Sequence, residues 1–141
     1  MIVLDTNVVS ELLREARSPA VVHWVNQLPA SATFITAITK AELLYGVGLM
    51  PAGRRRNELE QAIAMVLGRH FAGRVLPFDS EAAEHFPRIV LRRRGVGRPI
   101  EQPDAQIASI ALAQGAELAT RNVRDFSDTG LTLIDPWSAG G

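Results

Sequence analysis

Ile2-Val3-Leu4-Asp5-Thr6-Asn7 is the most informative stretch of this chain for its architecture. A short apolar run without polar alternation is typical of a strand that is buried on both faces of a parallel sheet. Open parallel sheets bind their ligands outside the carboxyl ends of the strands. Asp5 directly follows the run, so we expect its carboxylate at the edge of the sheet where a site would form.

Segments with strand-like and helix-like patterns alternate along the rest of the chain. Further strands are predicted at Thr33–Thr36, Val75–Phe78, Glu117–Thr120 and Leu131–Ile134. Helices are predicted from about Val8 to Arg14, from Pro19 with Ser18 as N-cap, from Thr39 to about Leu49, from Arg54 to about Leu67, after the cap Asp79-Ser80, and from Pro103 to about Ala113. This alternation predicts an α/β fold, a three-layer sandwich with a central, mainly parallel β-sheet flanked by helices.

Length and composition indicate one domain. The chain has 141 residues, of which 47% are hydrophobic, and this suffices for a single core. We predict one domain over residues 1–137 and a C-terminal tail over residues 138–141.

The absence of cysteine excludes disulfides and thiolate chemistry and fits a reducing compartment. Neither a signal-peptide pattern nor a membrane-spanning apolar segment is visible, so the sequence predicts a cytoplasmic protein with no membrane contact.

The charges are balanced overall but unevenly placed. A formal net charge of zero argues against binding of nucleic acid by bulk electrostatics. Lys40 is the single lysine among fifteen basic residues, and six arginines form the triplets Arg54-Arg55-Arg56 and Arg92-Arg93-Arg94. Solvated helix faces would explain both triplets. Guanidinium groups also match the geometry of phosphates, so guidance of a nucleic-acid backbone stays open.

Each acidic candidate has a structural role that competes with a functional one. Asp5 could cap the helix that follows it, although Thr6 and Asn7 are also capable caps. Glu42 completes the spacing of a capping box that starts at Thr39, and this spacing alone favours capping over catalysis. Gly46 on the same helix costs stability unless another backbone approaches closely, an approach that would draw Glu42 inward.

The later candidates follow the same logic. Asp104 lies in the first turn of a helix, where the helix dipole favours a negative charge. The apolar stripe of that helix lies three, four and seven residues further on, which places the Asp104 carboxylate over the core. Asn122 and Asp125 follow the fourth strand and would share the edge that holds Asp5. Loop chemistry explains both of them equally well.

Acids that meet at one edge would repel each other and raise their own pKa values unless a cation neutralises them. Oxygen ligands of this kind suit Mg²⁺ or Mn²⁺, and such ions can drive phosphodiester hydrolysis. Zinc is disfavoured, because His23, His70 and His85 lack ligand spacing.

Four ordered motifs resemble those of the PIN-domain ribonucleases, specifically the VapC-type toxins of toxin–antitoxin pairs, over essentially the whole chain. The motifs are Leu4-Asp5-Thr6-Asn7, Thr39-Lys40-Ala41-Glu42-Leu43 with Gly46, Asp104-Ala105-Gln106-Ile107-Ala108, and Ala119-Thr120-Arg121-Asn122 through Asp125-Phe126. The stretch from Phe71 to Phe78 and the ending Asp135-Pro136-Trp137 resemble the FitB subgroup most closely.

This resemblance implies a PIN-like fold, a Mg²⁺ or Mn²⁺ cofactor, an RNA substrate, a homodimer and a cognate antitoxin. In the FitB subgroup the antitoxin is a small DNA-binding protein, which brings the pair to operator DNA. The resemblance also implies roles for particular side chains. Asp5 and Asp104 would hold the metal, Glu42 would bind it or activate water, Asp125 would add a fourth acid where Asn122 is neutral, and Thr6, Asn7, Thr120 and Asn122 would orient these groups.

Three alternative functions remain at this stage. An aspartyl-phosphate mechanism also uses an acid after the first strand, but Asn7 stands where a second acid would be needed, and no lysine occurs late in the chain. A catalytically weak scaffold could act mainly in an antitoxin-bound complex that regulates DNA. Cleavage of DNA instead of RNA would use the same metal chemistry.

Overall fold

The structure is a computed structural model that describes residues 1–138, so the predicted tail lies mostly outside the described residues. Its strands are β1 (Ile2–Leu4), β2 (Thr33–Thr36), β3 (Val75–Leu76), β4 (Glu117–Ala119) and β5 (Leu133–Ile134). Over residues 1–138 they form one sheet in the order β3-β2-β1-β4-β5, and every pairing is parallel. The predicted parallel sheet is confirmed.

Helices connect these strands. They are α1 (Thr6–Leu12), α2 (Pro19–Asn26), α3 (Ala37–Gly48), α4 (Arg54–Met65), α5 (Ser80–Gly95) and α6 (Gln102–Ala113). Short turns of other helical types occur at Ala30–Ala32, at Val66–His70 directly after α4, and at Val123–Phe126. In the part of the chain that the structure describes, we find no helix long and apolar enough to cross a membrane.

Both faces of the sheet are covered, as expected for parallel strands. Leu4 packs with side chains of α1 to α4 on one face, and the neighbouring Val3 packs with side chains of α5 and α6 on the other. This alternation follows from the period of two in a strand. Val21 and Trp24 of α2 belong to the first of these cores, so α2 packs against the sheet through its apolar side chains. The three-layer sandwich is confirmed.

The strand order places a crevice beside β1. The chain builds β2 and β3 on one side of β1 and then crosses back, so that β4 lies on the other side. Such a reversal of strand order leaves a gap at the carboxyl ends of the two strands that flank it, and ligands of open α/β sheets bind there. Here the flanking strands are β1 and β4, which are followed by Asp5 and Thr120 respectively.

Two predicted helix starts are wrong. Helix α1 begins at Thr6 and not near Val8, because Asp5 adopts an extended conformation and its side chain accepts a hydrogen bond from the Thr6 N–H. Helix α3 begins at Ala37, since the hydroxyl of Thr36 accepts from the N–H of Thr39 at 3.1 Å. Thr36 is therefore the N-cap, and the capping box predicted between Thr39 and Glu42 does not form.

The second arginine triplet also departs from prediction. Arg93 is only 4% exposed, whereas its neighbours Arg92 and Arg94 are exposed. Its guanidinium donates hydrogen bonds to the carbonyl oxygens of Arg98 at 2.7 Å, Asp125 at 2.6 Å and Ser127 at 3.0 Å. The interpretation as a solvated helix face is wrong for Arg93, which ties α5 to the turn that carries Asp125.

We predict that Arg93→Met lowers the free energy of unfolding by about 2–4 kcal/mol, because three carbonyl groups lose a charged donor while the apolar stem stays in place. Urea unfolding followed by circular dichroism measures this change. The matched variants Arg92→Met and Arg94→Met should stay within about 0.5 kcal/mol of wild type. Equal unfolding midpoints for all three variants would contradict the anchoring role of Arg93.

Candidate active site

One pocket at the carboxyl edge of the sheet collects acids from distant parts of the chain. It has a volume of about 430 Å³. Asp5 reaches it from the end of β1, Glu42 from the second turn of α3, and Asp104 from the first turn of α6. The other predicted site residues that line it are Thr6, Asn7 and Asn122.

Hydrogen bonds hold both carboxylate oxygens of Asp5. The side chain is buried, with 5% exposure. Its Oδ1 accepts from the backbone N–H of Thr6, and its Oδ2 accepts from the hydroxyl of Thr120, each at 2.8 Å. The Thr120 oxygen in turn accepts from Asn7 Nδ2 at 3.3 Å and from the Asn122 backbone N–H at 3.0 Å. Asp5 therefore has a fixed orientation, and the predicted partner residues lie around it.

Glu42 is joined directly to α1 by the Thr6 hydroxyl, and a chain of threonine hydroxyls continues from there to the end of β2. The Thr6 hydroxyl donates to Glu42 Oε1 at 2.7 Å and also lies 2.9 Å from the Thr39 hydroxyl. A hydroxyl carries one proton, so Thr39 must donate to Thr6 when Thr6 donates to Glu42. Thr36 Oγ1 donates at the far end of this chain, with its oxygen 3.5 Å from that of Thr39. Glu42 is thus available to the pocket and is not occupied in capping α3.

The structure corrects one further expectation about this helix. A Cβ added at Gly46 would meet no atom within 4 Å, so no close backbone approach explains this glycine. Glu42 is exposed and has not been drawn inward. Its place at the pocket results from its position on α3 and from the hydrogen bond with Thr6.

Burial and mutual repulsion shift the pKa values of two of these acids. Burial, followed by the charges of Asp5, Asp125 and Glu42, raises the pKa of Asp104 to about 6. Burial also raises the pKa of Asp5, although the hydrogen bonds from Thr120 and Thr6 oppose this change. Asp125 is exposed and does not line the pocket. Its charge nevertheless raises the pKa of both acids, which places a further negative charge nearby.

Sequence reasoning missed five polar or aromatic residues that line the pocket, namely Ser10, Glu11, Arg14, Arg121 and Trp137. Glu11 is buried; its carboxylate accepts from the Ser18 N–H and pairs with Arg14 at 3.0 Å, and these contacts lower its pKa. Arg121 and Trp137 line the mouth beside them. Arg121 follows β4 as directly as Asn122 does, so the rule that selected Asn122 also applied to Arg121.

The donor set of the pocket fits a hard divalent cation. Asp5, Glu42 and Asp104 offer oxygen ligands alone. Burial and, after it, the charges of neighbouring acids raise the pKa values of Asp5 and Asp104, and a cation would neutralise those charges. Among residues 1–138 no three acidic or histidine side chains already stand close enough together to enclose an ion. Mg²⁺ commonly binds through one or two carboxylates and completes its shell with water, so two of these acids would be enough to hold it.

Comparison with known proteins gives the family. A family model described as "PIN domain" matches residues 2–131. The chain is 39% identical to VapC ribonuclease Y4jK of Sinorhizobium fredii, with 97% of this chain and 98% of the relative covered. It is 36% identical to Toxin FitB of Neisseria gonorrhoeae, with 97% and 99% covered.

A solved structure agrees with these relatives. A chain in the structure of FitAB bound to a DNA fragment superimposes with a TM-score of 0.92 at 35% identity, and the match covers 97% of this chain and 96% of that one. Fold, motif order and sequence identity thus agree over nearly the full length. The chain belongs to the PIN-domain family, in the group that includes VapC ribonucleases and the FitB toxin.

Proposed function

We propose that this protein is a Mg²⁺- or Mn²⁺-dependent endoribonuclease and the toxin of a toxin–antitoxin pair. The observation that carries the proposal is the single pocket that collects the carboxylates of Asp5, Glu42 and Asp104. Burial and like charges raise the pKa values of two of them, which is the arrangement that a divalent ion would stabilise. Relatives named VapC ribonuclease and Toxin FitB support RNA cleavage and the toxin role.

In this proposal each acid takes the role that the family resemblance implies, at the place in the pocket where the fold holds it. Asp5, fixed by Thr120, and Asp104, at the start of α6, would hold the metal ion. Glu42 takes a proton from the attacking water or helps to bind the ion, and the Thr6 hydroxyl orients it. A bound ion would supply Lewis-acid activation of water and stabilise the charge that develops on the phosphate. Asp125 adds negative potential from outside the pocket lining.

Partners complete the proposal. A cognate antitoxin would neutralise the toxin, and operator DNA would be reached only through that antitoxin. The likeness to a FitAB complex that was solved on a DNA fragment supports this arrangement. A homodimer, which the family resemblance implies, is part of the same proposal.

We predict that Asp5→Asn and Glu42→Gln each reduce RNA cleavage by about 100-fold or more, since each removes a ligand or the base of the reaction. The assay incubates the full chain with single-stranded RNA, with a DNA of matched sequence, and with RNA plus a chelator. Glu84→Gln is the matched control, because Glu84 is an exposed acid outside the pocket. Cleavage of DNA but not RNA, or undiminished cleavage in the chelator, would refute the proposal.

A second prediction concerns stability and pH in metal-free buffer. Because the folded protein raises the pKa of Asp104 from 3.8 to about 6, the folded state binds more protons than the unfolded state over that interval. This group's contribution is therefore favourable at low pH and is lost as the pH rises through about 6. Asp104→Asn should raise the free energy of unfolding at neutral pH by on the order of 1 kcal/mol after solvent screening, and by nothing near pH 3.

Thermal unfolding with and without MgCl₂ completes this test. Wild type should gain stability with Mg²⁺, because the ion binds only the folded state. Asp104→Asn should gain less, since it lacks one ligand. A wild-type unfolding temperature that ignores Mg²⁺ and Mn²⁺ would count against the metal site.

A further inference from the structure

The mouth of the acidic pocket contains an arginine that is held by an aromatic ring. The Arg121 guanidinium lies over the indole ring of Trp137, with its Cζ 5.0 Å from the ring centroid. Both residues line the same pocket as Asp5, Glu42 and Asp104. Neither residue has a role in the function proposed above.

The way in which Arg121 is held leaves its donors available. Among residues 1–138 its side chain makes no ion pair and no hydrogen bond. A cation–π contact attracts the charge of the guanidinium to the ring and uses none of its N–H groups as a hydrogen-bond donor to an oxygen. Glu11 pairs directly with Arg14 at 3.0 Å. The charge of Arg121 helps to lower the pKa of the same carboxylate, but without an ion pair that would occupy the N–H groups of Arg121.

The backbone of Arg121 and the tryptophan that holds its side chain are both anchored to the site. The Arg121 backbone N–H donates to Asn7 Oδ1 at 3.3 Å, and Asn7 also contacts the Thr120 hydroxyl that holds Asp5. Trp137 packs against the core, and its backbone N–H donates to Asp135 Oδ1 at 2.9 Å. The guanidinium is therefore positioned relative to the carboxylates before any ligand arrives, which lowers the ordering cost of binding.

An anionic substrate needs a positive group near this pocket, because the pocket itself is lined with acids. The chain has no net charge, so no bulk attraction draws a polyanion to a pocket lined with acids. In the first triplet, Arg54 pairs with Glu58 and Arg56 with Glu60, and Arg55 does not line this pocket. In the second triplet, Arg93 is committed to three carbonyl groups. A local cation at the pocket mouth would offset the repulsion of a phosphate by the acids.

We propose that Arg121, stacked on Trp137, binds a phosphate of the RNA strand next to the bond that is cleaved and so positions the strand over the acids. This inference rests on the proposed function. It assigns Arg121 to substrate binding and Trp137 to positioning the arginine. Arg121 would interact equally with the substrate and the transition state, so its loss should raise KM more than it lowers kcat.

The test compares Arg121→Gln with Arg124→Gln. Arg124 is an exposed arginine three residues later that does not line the pocket, so the control removes the same charge from the same segment. RNA affinity is measured with short mixed-sequence single-stranded RNA, in a Glu42→Gln background to prevent hydrolysis, over a range of salt concentrations. Arg121→Gln should weaken binding roughly tenfold for all sequences and reduce the salt-dependence slope by about 0.7. Arg124→Gln should change neither value.

Trp137→Leu separates positioning from charge. It keeps an apolar side chain and the cation but removes the ring, so affinity should fall while the salt-dependence slope stays at the wild-type value. Steady-state cleavage by variants with Glu42 intact should show a raised KM and a nearly unchanged kcat for Arg121→Gln. Circular dichroism and thermal unfolding verify that each variant is folded.

The outcomes distinguish the two proposals. If wild type cleaves RNA with Mg²⁺ but Arg121→Gln behaves like Arg124→Gln, the inference about Arg121 is wrong and the ribonuclease proposal stands. If wild type neither binds nor cleaves RNA, both proposals fail. A fall in kcat with unchanged KM would also overturn the binding role of Arg121.

Discussion

The parallel pairing of β1 with β4 is the interaction on which the rest of this molecule depends. It sets Leu4 against Ala119, and the Asp5 N–H continues the ladder by donating to the Ala119 carbonyl at 2.9 Å. The residues that follow the two strands are thereby brought side by side. The Thr120 hydroxyl can then reach the Asp5 carboxylate, and α6 packs where its first turn faces the same crevice. A different strand order would separate these groups.

The pocket accepts an electrostatic penalty that the core elsewhere avoids. Within residues 1–138 every fully buried side-chain nitrogen and oxygen has a hydrogen-bond partner. In the crevice beside β1, however, Asp5 and Asp104 are held where burial and neighbouring charges disfavour their ionised forms. Such a concentration of disfavoured charge is typical of functional sites, where local strain is retained for chemistry. The raised pKa values of Asp5 and Asp104 and the position of both acids in the crevice therefore indicate the same functional site.

Sequence patterns predicted the layers well because these patterns reflect burial. The apolar run before Asp5 and the alternation of strands with helices were enough for the parallel sheet. The carboxyl-edge rule led to Asp5 and Asn122, and also to Asp125, which does not line the pocket. Asp104 was found instead from its place in a first helical turn above an apolar stripe. Helix starts were harder, because Thr36 and Thr39 are equally good caps by residue type. The backbone conformation after β2 makes Thr36 the cap, and this removed the structural explanation for Glu42.

Other features could not be read from local sequence, since they depend on long-range contacts. Arg93 looks like its two neighbours in the chain, and only the packing of α5 against the turn at Val123–Phe126 makes it a buried anchor. The stacking of Arg121 on Trp137 likewise needs β4 and β5 to be adjacent. Whether the acids share a metal ion was predicted from their chemistry and remains a prediction.

The hydroxyl chain from Thr36 through Thr39 and Thr6 to Glu42 has a mechanical consequence. It links the end of β2, the body of α3 and the first residue of α1, so the Glu42 carboxylate is sensitive to how these two helices sit against each other. A small shift of α1 would move the Thr6 hydroxyl and so reorient the Glu42 carboxylate, without any substitution of an acid. The contact between α1 and α3 would therefore help to set the orientation of Glu42 relative to the other acids of the pocket.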